Sequence, residues 1–66
     1  MEIFLNGEAR QVEANCNIAA LVKELGLENK RLAVEVNLEI VPRSQFVHKN
    51  LVTGDKVEMV HAIGGG

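Results

Sequence analysis

The 66-residue sequence has a single cysteine, so it has no internal disulfide framework. It has no strong excess of charge. Seven lysines and arginines stand against nine aspartates and glutamates, a net charge of −2, and no basic cluster occurs. Nucleic acid is therefore not an expected partner. It has no long apolar run. The longest, residues 18–22, is five residues, far short of the ~20 that span a bilayer. Its start, Met1-Glu2-Ile3-Phe4-Leu5, shows no basic stretch before an apolar segment. No targeting signal or membrane partner is expected, and the cytoplasm is the expected compartment. Metal-ligand spacing is also missing: His48 and His61 lie far apart, with no cluster of Cys or carboxylates around either. No metal site is expected.

What is there is a small globular domain. Hydrophobic residues make up 47% and charged residues 24%, which excludes a disordered chain. A chain of this length buries only about 60% of its unfolded surface. Its core is thin, and little volume remains for a deep substrate cleft. A carrier, modifier or binding module is favoured over an enzyme, and the free chain is expected to be monomeric.

The last three positions, Gly64, Gly65 and Gly66, are all glycine. At a usage of about 7%, three glycines at one fixed place arise by chance in roughly 1 in 3,000 chains. Glycine has no side chain to pack and tolerates almost any φ/ψ. Three such residues reach about 10 Å, enough to pass a terminal carboxylate into a narrow slot of another protein. The plainer alternative is a frayed terminus. The expected organisation is a domain over residues 1–63 and a flexible tail over 64–66.

Residues 1–5 alternate apolar and outward positions, the period of a strand. Asn6-Gly7 is a strong hairpin signal, and residues 8–13 form the return strand with Val12 inward. Asn17 can cap a helix whose apolar positions, Ile18, Leu21, Val22 and Leu25, fall at i, i+3, i+4 and i+7. Gly26 sits where a helix-ending glycine belongs. A third strand covers residues 32–36, with Val34 and Val36 on one face. Asn37-Leu38-Glu39 turns into a short strand at Ile40-Val41. Pro42 holds Val41 extended and opens a helical turn reaching Phe46. Thr53-Gly54-Asp55 is a turn, and residues 56–63 form the last strand.

A hairpin, a helix and then two or three strands make an α+β domain. With the first and last strands parallel at the sheet centre and the helix on one face, the arrangement is a β-grasp with a protruding C-terminal tail. Ile3, Leu5, Val57 and Met59 then face the helix, and Phe4, Val60 and Ala62 face outward. Phe4 and Val60, on neighbouring central strands, together with Ala62 and Ile63 near the tail, form a candidate partner-docking patch. Scattered surface hydrophobes are the alternative. Cys16 could be a nucleophile, but no base is indicated beside it, and a small semi-buried filler is the preferred reading. His61 either contacts a partner or is a plain exposed strand residue. Arg43 either holds the turn after Pro42 or binds an anionic group on a partner.

Phe4-Leu5-Asn6-Gly7-Glu8, Val36-Asn37-Leu38-Glu39-Ile40-Val41-Pro42-Arg43, Gly54-Asp55-Lys56-Val57 and Val60-His61-Ala62-Ile63-Gly64-Gly65-Gly66 resemble the ThiS family of sulfur carriers of thiamine biosynthesis, which share the ubiquitin-like β-grasp fold. The resemblance covers the whole chain. Gly54-Asp55 and a terminal Gly-Gly also occur in the small subunit of molybdopterin synthase. That subunit usually carries prolines just before its glycines, and none occurs here.

The resemblance implies a protein co-substrate rather than an enzyme, with no catalytic residue and no cofactor of its own. An E1-like adenylating enzyme (ThiF-type), using ATP and Mg²⁺, activates the Gly66 carboxylate as an acyl-adenylate. Sulfur from a cysteine desulfurase or another donor replaces AMP, giving a thiocarboxylate at Gly66. Thiazole synthase (ThiG-type) takes that sulfur into the thiazole ring. Gly64 and Gly65 thread the end into each active site. The alternatives are the molybdopterin synthase small subunit and a ubiquitin-like modifier joined to lysines through Gly66. A passive binding domain is a further class, one that does not normally end on Gly-Gly.

Overall fold

A computed structural model describes residues 1–61. Ala62, Ile63, Gly64, Gly65 and Gly66 lie outside the described residues. The first hairpin joins β1 (Glu2–Leu5) to β2 (Glu8–Gln11). Its turn residues Asn6 (φ 50°) and Gly7 (φ 86°) both take the positive φ that a tight two-residue hairpin turn requires. Regular pairing stops at Gln11, two residues short of the expected strand end. The backbone nevertheless stays in line for one more residue. Val12 N–H donates to the Met1 carbonyl at 2.9 Å, the Met1 ammonium donates to the Val12 carbonyl at 2.7 Å, and Val12 is buried.

Helix α1 (Ile18–Glu24) is short and tightly bounded. The Asn17 side chain accepts from Ala20 N–H at 2.7 Å, a cap worth about 1 kcal/mol. At the other end Gly26 (φ 73°) donates to the Lys23 carbonyl and Leu27 donates to the Val22 carbonyl, both at 3.0 Å. These two bonds are a Schellman motif, and they satisfy carbonyls the helix would otherwise leave open. Ile18, Leu21 and Val22 are buried against the sheet.

Strand β3 (Leu32–Val36) returns through a turn into β4 (Glu39–Val41). Asn37 (φ 52°) and Leu38 (φ 72°) occupy that turn. A leucine in this left-handed region costs about 1–2 kcal/mol. Asn37 offsets part of the strain. It donates to Asp55 Oδ1 and accepts from Lys56 N–H, each at 3.0 Å. Asp55, buried, also accepts from Val52 N–H at 2.9 Å through Oδ2. A single 3-10 turn (Arg43–Gln45) after Pro42 drops the buried Phe46 into the core.

Strand β5 (Lys56–His61) closes the sheet, whose order is β2-β1-β5-β3-β4. β1 and β5 are parallel at the centre; every other pair is antiparallel. The inward residues are those expected from the alternation: Ile3, Val34, Val36, Val57 and Met59 are buried, and Leu5 packs at the margin. Each fully buried Ile, Leu or Val contributes about 1.5–3 kcal/mol.

Candidate docking face and tail base

The central position of β5 determines where the chain is presented. β5 is held by β1 on one side and by β3 on the other, with β3 paired along its full length from Val36↔Val57 to Leu32↔His61. The residues expected to carry chemistry or threading, Gly64, Gly65 and Gly66, and the docking candidates Ala62 and Ile63, lie beyond His61 and outside the described residues. The base from which they start is therefore the firmly paired end of a central strand.

The register also places the other two docking candidates. Phe4 pairs with Lys56, and Val60 lies four residues further along β5. At strand rise that is about 13 Å. Both stand on the face opposite α1, but they are not side by side. Val60 is 70% exposed and sits opposite Ala33 of β3. Phe4 is half-buried and, with Gly7, Lys56, Val57 and Glu58, lines a shallow cleft of about 210 Å³. Between them, Glu35 and Glu58 face each other across β3 and β5, and Ile40 of β4 is opposite Glu35. The outer face is therefore acidic at its middle, with separate apolar points around it.

Among the described residues, Leu38, Ile40, Val47 and Val52 are exposed large apolar residues that sequence reasoning did not single out, and the first two are the most exposed. Ile40 is 76% exposed and Leu38 is 87% exposed. Ile40 was legible, because an inward Val41 forces its neighbour outward. Leu38 carries no such signal, since a turn tip has no face.

Cys16 and Arg43 are engaged within the fold. Cys16 is buried, and its thiol donates to the Asn17 carbonyl at 3.4 Å. Burial above all, then the Glu24 and Glu13 carboxylates, pushes the thiol pKa up, against a smaller opposing effect of Arg10. The thiol is held protonated, the opposite of what a nucleophile needs. Arg43 donates to the Glu28 carbonyl at 3.4 Å and to the Lys30 carbonyl, and lies 5.7 Å from the centre of the Phe46 ring. Its guanidinium ties the 3-10 turn to the segment after α1. His48 and Lys49 line a groove of about 270 Å³ beside β4, and His61 is exposed at the end of β5. Among the described residues no group of three or more His, Cys, Asp or Glu could hold a metal ion, and no helix is long and apolar enough to cross a membrane.

A five-stranded mixed sheet with parallel central strands, one helix across one face and the last strand at the centre defines a ubiquitin-like β-grasp protein. The crystal structure of the thiamine biosynthesis protein ThiS from Geobacter metallireducens matches it over 100% of both chains, with a TM-score of 0.84 at 29% identity. The ThiS family model matches residues 3–66. The sulfur carrier protein ThiS of Escherichia coli K12 is 30% identical over the full length of both chains. The chain belongs to the ThiS family. A thiazole synthase of Paramagnetospirillum magneticum is 46% identical over the whole of this chain. The chain spans about a fifth (20%) of the length of the first curated relatives it matches, both named thiazole synthase.

Proposed function

We propose that the chain carries sulfur as a thiocarboxylate on Gly66 and delivers it to a thiazole synthase. The observation that carries this reading is the family match over residues 3–66, which runs through all three terminal glycines. A carboxylate is a poor electrophile. A ThiF-type adenylating enzyme, bringing ATP and Mg²⁺, joins the Gly66 carboxylate to AMP and releases pyrophosphate. A persulfide derived from a cysteine desulfurase then attacks the acyl carbon, and AMP leaves. A thiol cleaves the resulting acyl disulfide, releasing the thiocarboxylate and forming a disulfide, whereas free sulfide would give the thiocarboxylate directly. Glycine at that position minimises crowding around the carbon under attack. The chain acts as a co-substrate: each bond is made in a partner's active site, in the cytoplasm. The thiazole synthase relatives support the last partner, because there a segment similar to this whole chain is part of a protein bearing that name. The family match favours this reading over a molybdopterin synthase subunit or a protein modifier.

Intact mass after incubation with ATP, sulfide and a ThiF-type enzyme tests it. The expected product is heavier by the difference between sulfur and oxygen. A conjugate with a second protein would instead identify a modifier. Deleting Gly66 leaves the carboxylate about 3.5 Å short. It should cost about 100-fold or more in loading, while Cys16→Ala loads at near the wild-type rate. Loss of loading in Cys16→Ala with retention in the truncation would refute the assignment to the terminus.

A further inference from the structure

Taking the chain as the carrier proposed above, we propose that Asn6 is a positioning residue whose carboxamide clamps β5 and sets the base of the reactive end. The parallel ladder between β1 and β5 is brief. It comprises Phe4↔Lys56 and Leu5↔Val57, with Phe4 N–H donating to the Asp55 carbonyl and Asn6 N–H to the Val57 carbonyl, both at 2.9 Å. At Asn6 the backbone turns away into the hairpin, so β1 has no further peptide group to offer β5. The side chain of Asn6 takes over. Its Oδ1 accepts from Met59 N–H at 2.9 Å, and its Nδ2 donates to the Met59 carbonyl at 3.3 Å. A primary carboxamide has the same donor and acceptor as a peptide unit. Asn6 thus extends the pairing of β5 by one step towards the C-terminus, to within two residues of His61, the last described residue.

The turn alone does not demand this side chain. Positive φ at residue 6 is met by Gly at least as well as by Asn. The bidentate contact spans 53 positions of sequence and lies on the strand that leads to Gly66. Small displacements at a distance from the chemistry can lower rates by up to about 100-fold, because reacting atoms must meet in a narrow range of geometry. A clamp at the base of the reactive end therefore acts on the transfer step more than on recognition of the folded body.

Asn6→Gly keeps the turn and removes both bonds; Asn6→Asp keeps the acceptor for Met59 N–H and loses the donor. Each is compared with wild type in ATP-dependent thiocarboxylate formation by a ThiF-type enzyme, with amide exchange at Met59 and a thermal melt on the same samples. Asn6→Gly should exchange the Met59 amide about tenfold faster, through a local opening that leaves Val57 unchanged. Its kcat should fall about tenfold or more, with the KM for the carrier within about threefold, and Asn6→Asp should lie between. Wild-type kcat in Asn6→Gly, a loss expressed only in KM, or a kcat loss that merely follows a lowered melt would overturn the positioning role. A wild-type chain that gains no sulfur would instead overturn the carrier reading itself.

Discussion

On the helix side of the sheet Ile3, Val34 and Val57 are at most 1% exposed, whereas on its other side Val60 is 70% and Ile40 76% exposed. The two faces come from one alternation, and they differ in what covers them. α1 and the segment around Phe46 close the inner face into a continuous core. The outer face has no covering element among the described residues, and it places Glu35 directly opposite Glu58. Like charges across a strand pair are mildly destabilising. Leu38, strained and exposed at the β3–β4 turn, shares that disregard for stability. The inner face is arranged for folding. The outer face keeps exposed apolar and acidic groups that the core does not use.

The sharpest way to break the comparison is a matched pair of truncations. Ile3→Ala removes a fully buried side chain from the inner face and should destabilise by about 2–5 kcal/mol in a denaturant melt. For so small a domain that is a large share of the total. Its neighbour on the outer side, Phe4, is half-buried, so Phe4→Ala should fall between Ile3→Ala and a surface change.

Val60→Ala sharpens the contrast from the other side. Stability should stay within about 0.5 kcal/mol. Binding to a ThiF-type adenylating enzyme, the partner proposed above, should weaken by about 1–2 kcal/mol in a titration if Val60 anchors the interface. A Val60→Ala protein that melts as early as Ile3→Ala would show that the two faces have been assigned the wrong way round.

The smallest effect is one of pH. Burial raises the Cys16 thiol pKa in the folded chain, so the native state keeps its proton where the unfolded chain begins to lose it. The stability contributed by the neutral buried thiol is fully present below the ordinary thiol value, about 8.5, and is lost as pH rises through the folded value. Cys16→Ala should flatten this alkaline decline in a series of melts. A decline unchanged in Cys16→Ala would place its origin elsewhere.

Much of the fold was legible because its signals are local. Asn6-Gly7 marked the hairpin, Asn17 and Gly26 bounded the helix, and the alternation in residues 32–36 gave β3 to the residue. The candidate site was legible only in part. Parity correctly put Phe4 and Val60 on the outer face, but parity carries no information about register. The distance between them follows from Phe4 meeting Lys56, a choice made between strands more than fifty positions apart. Likewise Asp55 looked like an ordinary turn residue. Its buried carboxylate accepts from Asn37, brought to it from the β3–β4 turn, as well as from Val52 N–H within its own turn.

The sequence by itself determined the order of the elements, the face that apolar residues take within the helix and strands, and the family resemblance, because turns, caps and alternation are short-range and the family motifs are read in line. Only the tertiary structure decided the register between β1 and β5, how far apart the outer apolar groups stand, that Cys16 is shielded beside carboxylates, and that Asn6 reaches Met59. Those depend on closing loops across most of the chain. Loop closure is governed by the whole core at once, and no local pattern encodes its outcome.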